Sequence, residues 1–375
     1  MYRILHVSDV HLDASFAGTG LGGDAARRYR EALRETFVRI LKLARERKVQ
    51  AVTIGGDLFE QERFSADTVA FLAEQFRKLN PVKVFIAPGN HDPFLVDSPY
   101  SYLDWPANVT IFGEETFTSV PLGEGWTLWG FGHRSADLRS KPLSKLQLPA
   151  EGKHVLLFHG SDTTAVPEGK RVHAPFEPRQ VAQTGAKLLL TGHYHRGRIV
   201  QAGEARIVYP GSPEPLGFGE EGDHGAVAVT LDGEDVGLEP LRTNRHEFVT
   251  GELDVSGLDN REAVKEAVRR WGEEHGGKGR FLRLALRGEL RPEVDLQHDV
   301  LEAALAPFCL AGQITDATEP AYDLARLAQE KTVRGEFVRS LLERLEQCEA
   351  EERPKLEAAL HFGLQAFERR DLLAR

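Results

Sequence analysis

Short apolar runs rich in β-branched residues recur through the first 245 residues, and a polar or glycine-rich turn follows each run. Amphipathic segments come after several turns, which predicts an α/β fold: a two-sheet β-sandwich flanked by helices. The runs expected to form its strands are 4–7, 51–54, 82–87, 109–112, 127–131, 155–158, 188–190, 206–209 and 226–231.

Apolar side chains at helical spacing predict covering helices over 33–45 and 69–79. Beyond residue 245 the pattern changes to a helical stripe over 263–271 and an alternating strand over 282–286, and two further stripes begin at Val333 and Pro354. We therefore predict a large domain over 1–245, a small α+β capping domain over 246–325 and a C-terminal helical hairpin over 326–375. The hairpin could dock on the large domain or serve another protein as a handle, and its pattern leaves both open.

The bulk composition limits the classes of protein that the chain can represent. It has 375 residues, 41% hydrophobic and 28% charged, and no apolar run approaches the length of a membrane span. The N-terminus enters a strand without the features of a secretory signal, so we expect a cytoplasmic protein that does not engage a membrane. Cys309 and Cys348 are too few for a disulfide framework or a thiolate cluster.

The net charge of −10 argues against binding nucleic acid through general positive charge. Residues 261–291 are the exception, with nine Lys or Arg against five Asp or Glu. This stretch is either an ordinary solvated helix face or a nucleic-acid contact surface.

Five short polar motifs stand at the ends of predicted strands, where loops leave the carboxyl edges of a sheet and can converge on one crevice. They provide two carboxylates, one amide oxygen and four imidazoles, which are too many for one four-coordinate ion and suit two. Period-two spacing in Asp9-Val10-His11 and His193-Tyr194-His195 predicts two side chains on one face of an extended segment. The candidate metal ligands are Asp9, His11, Asp57, Asn90, His159, His193 and His195.

The remaining histidines fall outside this ordered set and are expected to be ordinary surface or core residues, with the exception of His91 between Asn90 and Asp92. The glycine-rich stretch 18–23 does not link a strand to a helix in the pattern of a phosphate loop, so we expect a flexible turn. The ordinary histidines are His6, His133, His154, His173, His224, His246, His275, His298 and His361.

In this order the five motifs resemble the calcineurin-like metallophosphoesterase superfamily over residues 1–245, and segments 4–12, 56–59 and 209–220 are similar to its SbcD-type DNA repair nuclease subunits. The resemblance implies the metallophosphoesterase fold, two Mn²⁺ ions and catalytic roles for His91 and Asp92. It implies that one ion is held by Asp9, His11, Asp57 and His195, and the other by Asp57, Asn90, His159 and His193.

The resemblance also implies partners: DNA, an SbcC-like ATPase, and a second copy of the chain bound through helices over 64–79 and 95–105. The aromatic residues there could instead pack on the core of a monomer; they are Phe64, Phe71, Phe76, Tyr100, Tyr102 and Trp105. Two positions depart from many relatives, Glu60 in place of a histidine and Asp13 in place of a glycine, and their consequence stays open.

Two cations about 3.5–4 Å apart lower the pKa of a shared water and neutralise the attacking and leaving oxygens of a phosphate ester. We therefore expect in-line hydrolysis of a phosphodiester, with His91 donating a proton to the leaving oxygen or hydrogen-bonding to it. Three functions remain open: a DNA exonuclease or endonuclease with an ATPase partner, a small-molecule phosphodiesterase or phosphatase, and a metal-binding scaffold with little catalysis. The extra domain and the hairpin favour the first.

Overall fold

Two six-stranded sheets organise the larger part of the chain, in a computed structural model that describes residues 1–16, 19 and 21–367. The first sheet has the order β12-β11-β1-β2-β3-β4, in which β1 to β4 are parallel and β11 is antiparallel to β1. Its central strands are buried on both faces, which explains their continuous apolar sequences. The strands are β1 Tyr2–Val7, β2 Ala51–Ile54, β3 Lys83–Ile86, β4 Val109–Ile111, β11 Gly225–Asp232 and β12 Asp235–Arg242.

The second sheet has the order β5-β6-β7-β8-β10-β9 and is parallel from β6 through β7 and β8 to β10. An apolar core made of side chains from both sheets, including Phe85, Val155 and Val229, lies between them. The strands are β5 Thr118–Gly123, β6 Trp126–Gly130, β7 Lys153–Leu157, β8 Leu188–Leu190, β9 Arg198–Ala202 and β10 Ala205–Tyr209.

Helices cover the other face of the first sheet. In α1 the apolar stripe that includes Leu33, Phe37 and Ile40 is buried, and it packs with α2 against the strands. Ser65 caps α2 by accepting a hydrogen bond from the backbone N–H of Thr68 at 3.1 Å, which satisfies one of the free donors at the start of a helix. The helices of this region are α1 Gly23–Glu46, α2 Ala66–Leu79, α3 Pro99–Tyr102 and α4 Pro178–Gln183.

The rest of the chain forms a three-stranded sheet of order β13-β14-β15 and five helices within the described residues. Helices α7, α8 and α9 share an apolar core in which Leu341, Leu345 and Leu360 are buried. The elements are β13 Glu247–Asp254, α5 Arg261–His275, β14 Arg280–Leu290, α6 His298–Leu305, β15 Ala311–Pro320, α7 Leu324–Ala328, α8 Val333–Gln347 and α9 Arg353–Phe367.

The predicted fold class is confirmed, because all nine predicted strands are present in two sheets flanked by helices. The chain divides into two compact units, one of residues 1–251, 272–284 and 305–313, the other of 252–271, 285–304 and 314–375. The predicted domain boundaries at 245 and 325 stay predictions. Part of the predicted turn over 18–23, at residues 18 and 20, lies outside the described residues.

Candidate metal centre

The loops that carry the five motifs all leave the carboxyl ends of buried strands, as the sequence predicts. A cavity of about 630 Å³ opens where they meet, and its lining includes Asn90, His91 and His193. Asp9, His11 and His159 are at most 2% exposed. The strands and the ligands that follow them are β1 with Asp9 and His11, β2 with Asp57, β3 with Asn90, β7 with His159, and β8 with His193 and His195.

The backbone at these ligands is not extended, so the predicted strand-like geometry of the two period-two pairs is wrong. Asp9 and His11 have φ angles of 54° and 49°, and His193 has a φ of 105°. The Asp9 N–H donates to Gly56 O and the His11 N–H donates to Asp57 O, both at 3.0 Å. These hydrogen bonds hold a left-handed conformation that side chains larger than glycine rarely adopt, a form of strain that clusters at functional sites.

The structure brings the predicted ligands together in overlapping groups. Donor atoms of Asp9, His11 and His195 lie within 4.8 Å of one another, and so do those of Asp57, His159 and His193. A third group, of His11, Asp57 and His91, shares one residue with each of them. Asp57 connects the groups, because its Oδ2 lies 3.3 Å from His159 Nε2 and 3.8 Å from His11 Nε2. The His159 Nε2 also lies 3.0 Å from the Oδ1 of Asn90, the seventh predicted ligand.

The chemistry of these residues fits a divalent cation. Within the described residues the buried Nε2 of His11 has no hydrogen-bond partner, although it faces Asp57. A buried polar atom of this kind costs free energy unless something binds it, and a metal ion does so. At the neighbouring His195, the Nε2 accepts from the ammonium of Lys170 at 3.1 Å, so this position already attracts a cation.

In each histidine predicted to be a metal ligand, the opposite ring nitrogen is fixed by a hydrogen bond. His11 Nδ1 donates to Glu60 at 2.7 Å, and His195 Nδ1 donates to Glu220 at 2.6 Å. These bonds set the tautomer and leave the other nitrogen with a lone pair for an ion. Backbone carbonyls accept the corresponding hydrogen bonds from the other two histidines: Gly55 O from His159 Nδ1 at 2.8 Å, and Arg171 O from His193 Nε2 at 2.7 Å.

The carboxylates and imidazoles of the centre shift one another's pKa values toward the charged forms. Burial alone would raise the pKa of Asp57, but the nearby His159, His91 and His11 outweigh it and hold that pKa well below its usual value. Burial would lower the pKa of His159, yet Asp57 and Asp9 raise it to about 9. A bound cation would replace the His159 proton, so binding releases protons and strengthens as pH rises.

His91 lies at the cavity beside the ligands, with its ring centroid 4.7 Å from that of His11. Its Nδ1 donates to Glu60 Oε2 at 2.8 Å, so the side chain is held by Glu60 and not by the neighbouring Asp92. Burial would lower the pKa of His91, but Asp57 and Glu60 raise it to about 9. These two carboxylates favour the protonated form of the imidazole.

Asp92 is fully buried and does not line the cavity. Its carboxylate accepts hydrogen bonds from the backbone N–H groups of Asp57 at 2.9 Å, Leu58 at 2.8 Å and Gly89 at 2.7 Å. The hydroxyl of Tyr100 donates a fourth bond at 2.7 Å. These contacts brace the loops that carry Asp57 and Asn90, and the catalytic role assigned to Asp92 stays a prediction.

Sequence reasoning left several contributors to the centre unassigned. Glu60 stands out in the sequence only as a departure from relatives, close to Asp57. Glu220 ends the segment 209–220 that carries part of the resemblance, but the resemblance gives it no role, and Lys170 has no signal in the sequence. His133, expected to be ordinary, donates from Nε2 to the backbone carbonyl of His159 at 2.8 Å and so supports a ligand from behind.

Comparison with known proteins identifies the class. Residues 2–197 match the calcineurin-like phosphoesterase family, and the chain belongs to that family. Its members are metal-dependent phosphoesterases, which agrees with the donor groups described above. No helix in the described part of the chain is long and apolar enough to cross a membrane.

Individual relatives are distant. The chain is 24% identical over 276 residues to the uncharacterized metallophosphoesterase YhaO of Bacillus subtilis, across 70% of this chain and 66% of that protein. It is 28% identical over 246 residues to the DNA double-strand break repair protein Mre11 of Methanopyrus kandleri, across 59% of this chain and 51% of that protein. The chain thus spans less than two thirds of either relative.

Solved structures add a likeness too weak to bear on function. A dimetal phosphatase from Danio rerio covers 61% of this chain and 92% of its own, with 12% identity and a TM-score of 0.39.

Proposed function

We propose that the chain is a manganese-dependent DNA nuclease that hydrolyses phosphodiester bonds at a two-metal centre, as the nuclease subunit of an SbcCD-like complex. The observation that carries the proposal is that Asp57 joins two donor groups at one cavity. Oxygen and imidazole donors without thiolate suit Mn²⁺ better than they suit a structural zinc cage.

Asp9, His11, Asp57 and His195 would hold one ion, and Asp57, Asn90, His159 and His193 the other. When bound, the ions supply Lewis acidity and an activated water. The protein residues do the rest: His91 gives its proton to the leaving oxygen, and Asp92 acts as a positioning residue behind Asp57. Lys170 and Arg171 are the two Lys or Arg residues in the described lining of the cavity, where they would bind substrate phosphate.

Support for DNA as the substrate comes from the relatives named for double-strand break repair in Methanopyrus kandleri and Aeropyrum pernix, 28% and 26% identical. The basic stretch 261–291 adds little, because six of its nine cations form ion pairs, among them Arg287 with Glu252 at 2.6 Å and Arg280 with Glu247 at 2.9 Å. This pairing favours a solvated face over a DNA contact. A small-molecule phosphodiesterase is the second candidate, since the same cavity would accept a smaller ester.

The experiment that separates these candidates compares substrates on one preparation. Purified chain with Mn²⁺, with Mg²⁺ alone and after chelation would be given labelled duplex DNA, single-stranded DNA and a chromogenic phosphodiester. We expect Mn²⁺-dependent DNA cleavage and little activity with Mg²⁺. Hydrolysis of the small ester without cleavage of DNA would support the second candidate, and full activity after chelation would refute both.

Two substitutions distinguish the proposed general acid from a ligand. His91→Asn should keep about two Mn²⁺ per chain and lose turnover by about a hundredfold to ten-thousandfold. His159→Asn should lose metal as well as rate. Metal content, melting temperature and single-turnover rate would be measured on both, and wild-type turnover in His91→Asn would refute the assigned role.

The proposed homodimer now depends on fewer side chains than the sequence indicated. Phe76 and Tyr100 are buried, and Phe64, Phe71 and Trp105 pack on the same core. Tyr102 and Val96 are 59% and 94% exposed. We expect Tyr102→Asp and Val96→Asp to weaken the dimer in light scattering, and a wild-type monomer at micromolar concentrations would refute it.

The proposed handle for an SbcC-like ATPase is the pair α8 and α9. Their leucines pack together, which leaves Val333 and Phe362 exposed at 77% and 53%. Deletion of residues 331–375 should abolish ATPase binding and spare hydrolysis of the chromogenic ester. Loss of that hydrolysis would make the hairpin part of the catalytic fold.

A further inference from the structure

The four histidines proposed as metal ligands each donate a hydrogen bond from the ring nitrogen that faces away from the ion. The kind of acceptor differs between the two groups of ligands. Behind His11 and His195, which lie in the same group with Asp9, the acceptors are the carboxylates of Glu60 and Glu220. Both are held in place from a second side. The other oxygen of Glu60 accepts from His91 at 2.8 Å, and the other oxygen of Glu220 accepts from the backbone N–H of Leu216 at 2.8 Å.

In the second group, the acceptors of these hydrogen bonds are backbone carbonyls. His159 and His193, which lie in a group with Asp57, donate to the backbone carbonyls of Gly55 and Arg171. A carbonyl is neutral, whereas an ionised carboxylate makes the shorter and stronger charge-assisted bond. All four hydrogen bonds are 2.6 to 2.8 Å long, so the two groups differ in the charge of the acceptor and not in the length of the bond.

A glutamate has an ordinary pKa of about 4.3, so both carboxyl groups carry a negative charge at neutral pH. Each of them accepts a hydrogen bond from an imidazole N–H, His11 for Glu60 and His195 for Glu220. Their side chains are 18% and 24% exposed, so their charges are only partly screened by solvent. A charged acceptor behind an imidazole raises the basicity of the nitrogen that faces the ion.

We propose that Glu60 and Glu220 are positioning residues that make the cation position at Asp9, His11 and His195 the tighter of the two. The inference rests on the two-ion centre proposed above. The weaker position, backed by carbonyls, is then the one that fills last and governs the concentration of Mn²⁺ at which the enzyme becomes active. Glu60, which replaces a histidine of many relatives, then has a role. Its carboxylate orients both the metal ligand His11 and the general acid His91.

Glutamine provides the sharpest test, because Glu60→Gln and Glu220→Gln replace a charged acceptor by a neutral carbonyl of nearly the same shape. Each variant would then resemble the backing of His159 and His193. Mn²⁺ would be titrated by calorimetry, with electron paramagnetic resonance to count bound ions. Glu62→Gln is the matched control, since Glu62 is exposed, lines the same cavity and bonds no histidine among the hydrogen bonds described.

We expect the wild type to bind two Mn²⁺ in a tight and a weak class. Each variant should weaken the tight class by about tenfold to a hundredfold and leave the weak class and the control unchanged. Equal weakening of both classes, an unchanged tight class, or equal classes in the wild type would overturn the inference. A wild type that binds fewer than two ions would refute the two-ion centre instead. Unfolding of the metal-free variants by urea would identify a folding defect, and Glu220→Gln tests the idea without disturbing His91.

Discussion

Acid is expected to destabilise the fold through His6, a histidine in β1 that is fully buried. Its Nε2 donates to Thr191 O at 3.1 Å, and its Nδ1 accepts from the Thr53 hydroxyl at 3.0 Å. Burial lowers the pKa of His6 from 6.5 to about 4, and the surrounding hydrogen bonds offset only part of that effect. The folded chain therefore keeps His6 neutral at a pH where the unfolded chain protonates it.

The sign follows from proton binding. Between about pH 6.5 and about pH 4 the unfolded state binds the additional proton, so stability is complete above this window and falls as pH decreases through it. A difference of about 2.5 units corresponds to about 3 kcal/mol in total. At about pH 5 roughly 2 kcal/mol of that would already be lost.

His6→Gln is the perturbation that isolates this contribution, because an amide can donate to Thr191 and does not titrate. Urea unfolding followed by tryptophan fluorescence, with chelator present, would be measured from about pH 7.5 to about pH 5. Wild type should lose about 2 kcal/mol more than the variant over this range. The exposed His298→Gln should behave as wild type. Parallel curves for wild type and His6→Gln would refute the reasoning.

Three further outcomes are expected. Gly89→Ala would place a Cβ 2.3 Å from Asp57 Oδ1, so metal content and rate should both fall, whereas Gly23→Ala, with nothing within 4 Å, should change neither. Tyr100→Phe removes one of four bonds to Asp92 and should lower the free energy of unfolding by about 1 kcal/mol, with a loss above about 3 kcal/mol contradicting a single bond. Mn²⁺ at about a hundred times its dissociation constant should raise that free energy by about 2.7 kcal/mol in the same urea assay, and no shift would argue against specific binding.

The central strands of the two large sheets could be predicted from sequence, as could the edge strand β4, whereas the other three edge strands could not. β2 and β8 are buried throughout and β1 is buried from Ile4 onwards, and their apolar runs are clear. The strands without a prediction in the two large sheets, β5, β9 and β12, include the edges of both sheets. An edge strand faces solvent on much of its surface, so its sequence carries little apolar pattern.

For the candidate metal centre, the sequence predicts which side chains come together but not the contacts that hold them. The position of Asp9 and His11 directly after a predicted strand marks them as candidates. Their left-handed backbone, however, depends on hydrogen bonds to Gly56 and Asp57, which are close only in the folded chain. The same holds for Glu220, whose partner His195 lies 25 residues away in sequence. Local patterns predict which residues reach a site, whereas tertiary contacts decide how each is held.

Donors from both large sheets meet at the same cavity: Asp9 and Asp57 follow strands of the first sheet, and His159 and His193 follow strands of the second. A cation bound there would work as a reversible cross-link between segments far apart in the chain, and unlike a disulfide its strength would follow the free metal concentration. Without a bound metal ion, the two sheets would separate at this end more readily, and their backbone amides would exchange with solvent faster. The supply of the metal would then affect the stability of the folded protein as well as catalysis.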